Sequence, residues 1–199
     1  MKNLGVTLII TILAFNFFTH QAYAQEKTKD LQVKSIAVIP KEEVNWLTWE
    51  EAVELSKKEK RKIFLDVYTD WCGWCKRMDK GTFQQSHIAK YLNENFYPVK
   101  FDAEQKKELK YKDKVYKYVN NGKRGYHELA AELLRGRMSF PTVVFLDEDF
   151  NLIQSIMGYK TPQQFEQIAT YFGTDHFKKM PWSSYQKNYK SILISNTEE

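Results

Sequence analysis

A short apolar run that ends directly on a pair of cysteines constrains this chain more than any other feature. Ile63-Phe64-Leu65-Asp66-Val67-Tyr68 is rich in β-branched and aromatic residues, the composition of a strand. Its near-continuous apolarity predicts burial on both faces, as in the middle of an α/β sheet. Trp71-Cys72-Gly73-Trp74-Cys75 follows almost at once, and then a helical stretch containing Met78. The chain must therefore pass from a central strand into a helix through the cysteine motif.

Both cysteines of the chain lie in this motif. A small secreted domain stapled by disulfides would carry more cysteines at longer spacing. Two thiols at C-x-x-C spacing can close a small disulfide ring and reopen it. Free N–H groups and the dipole at a helix start favour a thiolate on the first sulfur, and a thiolate is what attacks a disulfide. This makes Cys72 the nucleophile and Cys75, one helical turn on, the resolving thiol. The competing readings are a structural disulfide, half of a metal site and an inert buried pair. Zinc normally takes four ligands. The chain has four histidines, His20 falls in the N-terminal apolar region, and no two of the others stand at ligand spacing. We expect no metal, and no cofactor beyond the Cys72–Cys75 couple.

The chain has 199 residues, 43% of them hydrophobic, enough for one domain with extensions. The net charge of +5 is spread over scattered lysines without a nucleic-acid motif, so these read as solvated faces and no nucleic-acid partner is expected. At the N-terminus Lys2 precedes an uncharged, mostly apolar stretch from Leu4 to Phe18, and Ala22-Tyr23-Ala24 offers small residues at the cleavage positions. That is a secretory signal peptide, expected to be cut after Ala24. The stretch is short for a membrane span, and no second run is long enough for one. We expect an exported protein, periplasmic, with no stable membrane insertion after cleavage. No cysteine near the cut invites a lipid anchor.

Residues 25–45 read as a linker whose apolar run Ile36–Ile39 adds an edge strand. Thr48 with Glu51 forms a capping-box pattern, opening a helix to about Lys60. Ser86 caps a helix carrying Ile88, Tyr91 and Leu92, and Tyr97–Ala103 is the next strand. Between residues 104 and 137 we expect an insertion. It begins with a hairpin of tyrosine-rich strands about Lys112-Asp113-Lys114, followed by a turn at Asn120-Asn121-Gly122. A helix from Tyr126 to Arg135 ends it, stopped by Gly136 as the left-handed residue. Thr142–Leu146 and Leu152–Met157 are paired strands. Thr161-Pro162 opens a helix that buries Phe165, Ile168, Ala169 and Phe172 and ends at Gly173. The domain is expected over residues 46–173. An extension over 174–199 carries Phe177, Trp182, Tyr185 and Tyr189, which suit docking of at least part of it. This order of elements describes an α/β fold, a mixed sheet flanked by helices.

The segment from Asp66 through Trp71-Cys72-Gly73-Trp74-Cys75-Lys76 resembles the active-site stretch of thioredoxin. The fuller run through Met78, Thr82-Phe83 and Leu92–Phe96 is similar to exported thioredoxin-like proteins of bacterial envelopes. Ser139-Phe140-Pro141-Thr142 resembles the loop in which thioredoxins place a cis-proline facing the disulfide. The resemblance covers about Asn45 to Gly173 and implies a thioredoxin fold with an insertion before the cis-proline strand. Through it Asp66 matches a buried carboxylate that moves the resolving cysteine's proton, and Lys100 the lysine accompanying it. Trp71 matches the aromatic before the first cysteine. Pro141 matches the cis-proline, which leaves the backbone of Phe140 to pair with a substrate strand. Gly73-Trp74 departs from the Gly-Pro of thioredoxin and leaves the reduction potential open. Trp74 reads either as a substrate-facing aromatic or as packing.

The catalytic set is thus Cys72, Cys75, Asp66 and Lys100. The substrate-binding set is Trp71, Gly73, Trp74, Phe140 and Pro141. Within the insertion, Tyr126, His127 and Arg137 are candidates for partner specificity. The resemblance implies a thiol–disulfide oxidoreductase of the cell envelope that reduces disulfides in protein substrates and is recharged by a membrane electron-donor protein; we expect a monomer. Two alternatives stay open: an oxidase or isomerase using the same cysteines, and a non-catalytic binding module.

Overall fold

A computed structural model describes residues 42–191 and 193. The expected signal peptide and the run Ile36–Ile39 lie outside them. The elements are helix α1 (Trp49–Lys58), strand β1 (Lys62–Tyr68), helix α2 (Gly73–Met78), a π-helical turn (Asp79–Phe83), α3 (Ser86–Asn95) and β2 (Phe96–Asp102). Short strands β3 (Leu109–Tyr111), β4 (Lys114–Tyr116), β5 (Tyr118–Val119) and β6 (Tyr126–His127) lead into α4 (Glu128–Leu133). Strands β7 (Thr142–Leu146) and β8 (Leu152–Met157) and helix α5 (Pro162–Gly173) complete the frame. A 3₁₀ turn (His176–Lys178) and α6 (Trp182–Asn188) follow it.

The central sheet runs β2-β1-β7-β8. β1 is parallel to β2 and antiparallel to β7, which is antiparallel to β8. The sheet is mixed, as expected, with helices on its faces, and it is the thioredoxin fold. β1 alternates: Ile63, Leu65 and Val67 join one core with Trp49, Phe101 and Leu129. Phe64 points into the other, with Phe83, Phe96, Phe145 and Phe165. Asp66 shares the Phe64 face by the period of two, so its carboxylate is carried into that aromatic side. The chain ahead of α1 adds a parallel bridge of Leu47 to Val99 at the β2 edge, and Trp46 packs on Phe64.

Several local expectations hold. Thr48 and Glu51 close the capping box of α1, and Thr161 and Gln164 close that of α5 behind Pro162. Leu109–Tyr111 pairs with Lys114–Tyr116 as a hairpin. Others are corrected. Ser86 caps nothing: the N-cap of α3 is Gln85, which makes no side-chain cap bond. The helix expected from Tyr126 starts at Glu128, because Tyr126 and His127 first pair with Val119 and Tyr118. Its left-handed stop is Arg135 (φ 52), one residue before Gly136 (φ 75). The Gly136 N–H reaches the Ala131 carbonyl and the Arg135 N–H that of Glu132, a Schellman close. Gly173 is no stop signal but the last residue of α5. A Cβ there would sit 2.4 Å from the Tyr91 hydroxyl, so a glycine lets α3 approach. The tail packs down: Tyr185 is buried, and Phe177, Trp182 and Tyr189 pack on the Phe64 side of the core.

Candidate active site

The carboxyl ends of β1, β2 and β8 and the amino end of β7 fall at one end of the sheet, because only β7 runs against β1. Much of what the cysteine motif meets comes from these four ends. Cys72 is the N-cap of α2, and its Sγ accepts the Cys75 N–H at 3.0 Å. The two sulfurs are joined as a disulfide, and both residues are nearly covered, at 5% and 4% exposure. An N–H aimed at Cys72 Sγ favours a thiolate there once the disulfide opens. Gly73 is exposed, with nothing within 4 Å of where a Cβ would stand.

At the start of β7 the Phe140–Pro141 bond is cis. Thr142 Oγ1 donates to the Ser139 carbonyl and the Gly158 N–H to the Pro141 carbonyl, which pins the loop on both sides. Phe140 makes no backbone hydrogen bond among the described residues. Its ring meets Trp71 edge-on at 5.9 Å. Trp71 and Trp74 are about half exposed, at 49% and 55%. Trp71 Nε1–H donates to Glu104 Oε1 at 3.0 Å, just past the end of β2. Trp74 leans the other way, onto Tyr159 at 5.4 Å, just past β8.

Asp66 and Lys100 are register partners across β1 and β2. Asp66 is 1% exposed, with Lys100 Nζ 2.8 Å from Oδ2. The contact is ionic rather than a well-aligned hydrogen bond, and Oδ1 has no partner either. Burial pushes the Asp66 carboxyl above its usual range; Lys100 draws it back only in part, and Asp79 adds to the rise. Burial would lower the Lys100 ammonium, but Asp66 and Asp79 outweigh it and hold it above its ordinary value. Asp79 Oδ1 is 2.9 Å from the same Nζ, and the Trp46 and Tyr68 rings lie within cation–π range. A cavity of about 90 Å³ lies between Lys100 and Cys75, bordered by Thr69 and Asp79. It is roomy enough for water, which takes about 30 Å³ per molecule.

The structure thus gathers the catalytic and substrate-binding candidates at one sheet end, with Asp66 and Lys100 behind the disulfide. Glu104, Arg124, Arg77, Tyr159 and Asp79 were missed. Asp79 and Arg77 stand at helical spacing from Cys75 and Trp74, a signal that was there to read. Glu104 and Arg124 reach Trp71 through the insertion, and no local pattern marks them. His127 is corrected: it is fully buried, its Nδ1 accepts the Leu129 N–H, and its Nε2 meets the Lys107 carbonyl. It builds the insertion and faces no partner. Among the described residues no group of three or more His, Cys, Asp or Glu is placed to hold a metal ion. Nor, among them, is any helix long and apolar enough to cross a membrane.

The family model described as Thioredox_DsbH, protein of unknown function, DUF255, matches residues 26–180. Spermatogenesis-associated protein 20 of Mus musculus is 42% identical over 74 residues, which is 37% of this chain and 9% of that protein. An uncharacterised Caenorhabditis elegans protein is 36% identical over 74 residues, 37% of this chain and 10% of its own length. The chain thus spans about a tenth of these curated relatives. Among solved structures, a thioredoxin-fold protein from Helicobacter pylori superposes with a TM-score of 0.51 at 18% identity, over 64% of this chain and 83% of that one. A DsbH oxidoreductase superposes with a TM-score of 0.49 at 18% identity, over 70% and 91%.

Proposed function

The chain belongs to the Thioredox_DsbH family, a thioredoxin-like family, and from that premise we propose that it is a thiol–disulfide oxidoreductase that reduces disulfides in protein substrates. One observation carries the reading: a Cys72–Cys75 disulfide capping α2 with the cis Phe140–Pro141 peptide at the same sheet end. In the reduced protein the Cys72 thiolate attacks a substrate disulfide. A Cys72–substrate S–S bond forms and the other substrate sulfur leaves as a thiolate. Cys75 then attacks Cys72 Sγ, closing the Cys72–Cys75 bond and releasing the second substrate thiol. Two electrons pass from the protein to the substrate.

Cys75 must lose a proton for the second step. Asp66, raised by burial and tied to Lys100, is the base, acting through Lys100 and water in the adjoining cavity. Substrate lies as an extended strand along the unpaired Phe140 backbone, between Trp71 and Trp74. The returning electrons come from a dithiol donor, in our reading a membrane protein. Residues 1–24 support export, and the periplasm is the compartment we propose.

The test is exchange by the reduced protein with a disulfide-linked protein substrate. Cys72→Ser is expected to abolish it, and Cys75→Ser to accumulate a covalent Cys72–substrate adduct on non-reducing gels. Equal residual activity in both variants would sink the mechanism. The couple's potential sets direction: a value near about −270 mV supports a reductase, and one towards about −120 mV an oxidant.

A further inference from the structure

Two guanidinium groups flank the cysteine motif, and each lies on one of its exposed tryptophans. On the β2 side the Arg124 guanidinium sits 4.0 Å from the Trp71 ring centre. On the β8 side that of Arg77 sits 5.2 Å from Trp74 and 5.9 Å from Tyr159. Both arginines are exposed. Among the described residues neither has a carboxylate within the 4.0 Å of an ion pair. Three of the acids nearby are otherwise engaged. Glu104 accepts from Trp71 Nε1, and Asp66 and Asp79 face Lys100. Asp70 is exposed beside the small cavity at Cys75.

A guanidinium over an aromatic ring can stack on it and keep its in-plane N–H donors for a carboxylate, which they bind two at a time. Stacking also holds the side chain in place, so little freedom is left to lose on binding. Beside Arg124 lies a groove of about 270 Å³ lined by Trp71, Tyr126, Met138 and Phe140, with Glu104 its one carboxylate, held on the Trp71 indole N–H. The groove adjoins the Phe140 backbone, where an extended chain would pair. Cations thus stand on both sides of the place where a substrate cysteine must arrive, and the unpaired backbone edge beside them suits a peptide.

Resting on the exchange reading above, we propose that this site selects protein disulfides whose cysteine is flanked by acidic side chains, with Arg77 and Arg124 as the specificity-determining residues. The substrate class is an acidic extended segment.

The experiment uses the reduced full chain and two synthetic peptide disulfides of identical sequence, except that glutamates or lysines flank the cysteine. Exchange rates are followed by tryptophan fluorescence at low and high salt. Each exposed pair is expected to contribute about threefold and the two together about tenfold. The glutamate peptide should therefore react about tenfold faster at low salt, with the gap closing as salt screens it. The double variant Arg77→Glu, Arg124→Glu should invert the ratio. Taking the ratio of two peptides within one variant cancels any loss of folded protein or of thiol reactivity. Equal rates for the wild-type chain, or a preference that survives the double reversal, would overturn the proposal. No exchange with either peptide would overturn instead the oxidoreductase reading beneath it.

Discussion

Asp66 and Glu166 are both sealed carboxylates on the Phe64 side of the sheet, at 1% and 3% exposure, yet their surroundings differ. Glu166, on α5, is well partnered on one oxygen. Its Oε1 accepts from the Tyr189 hydroxyl at 2.7 Å and the Ser191 hydroxyl at 2.5 Å, and His87 Nε2 stands 3.9 Å from Oε2. Asp66 faces one ammonium and has no well-formed hydrogen bond on either oxygen. A buried acid so bonded fastens one segment to another. One left short of partners is costly to ionise, and that cost raises its carboxyl and suits it to passing a proton. The first arrangement clasps the tail to the domain. The second stands behind the disulfide.

The largest expected effect separates the two directly. Asp66→Asn should slow release of the mixed disulfide on the order of 10²-fold, the usual weight of a positioned base, read as decay of the trapped adduct. Glu166→Gln should leave that decay unchanged. If Asp66→Asn also releases at the wild-type rate, Asp66 is merely a second buried acid.

A pH effect on stability sharpens the contrast. Burial raises the Asp66 carboxyl, so the folded chain keeps that proton to higher pH than the unfolded chain, whose aspartates titrate near about 3.9. This contribution to stability is full below the unfolded value and is lost as pH rises through the raised folded one. The stability gap between Asp66→Asn and the wild-type chain should therefore move in favour of asparagine across that window. Denaturant titrations at several pH values measure it, and a pH-independent gap would contradict a raised carboxyl.

Most of the frame was legible because its signals are local. The run Ile63–Tyr68, the caps at Thr48 and Thr161 and the Cys72-to-Cys75 spacing each dictate structure within a few residues. Asp66 stood out because a charge in an apolar strand needs a reason. Its pairing with Lys100 follows from parallel register, which no single strand encodes, and came only through family resemblance. The insertion was misread where long-range contact wins: Tyr126 and His127 have a helix behind them but a strand partner in Val119 and Tyr118. Gly125 shows the same limit, since a Cβ there would fall 2.1 Å from the Tyr118 hydroxyl, a crowding invisible along the chain. The clasp on Glu166 spans α5 and the tail, and nothing around Glu166 in sequence announces burial.

Glu166→Leu should cost stability without touching exchange. It removes the buried acceptor of the Tyr189 and Ser191 hydroxyls, a loss of about 1–3 kcal/mol.

Tyr189→Phe is the smallest change and the sharpest check on the clasp. The ring stays, tilted against Tyr185 at 5.5 Å, so packing is kept and the hydroxyl's bond to Glu166 goes. Glu166 keeps Ser191 as a donor, which limits the loss to about 1 kcal/mol. The two substitutions act on one bond, so in combination they should cost less than their sum. A double variant, compared with both single variants in urea, measures that coupling. Strict additivity would mean that Tyr189 and Glu166 do not hold each other, and the well-partnered half of the comparison with Asp66 would fall.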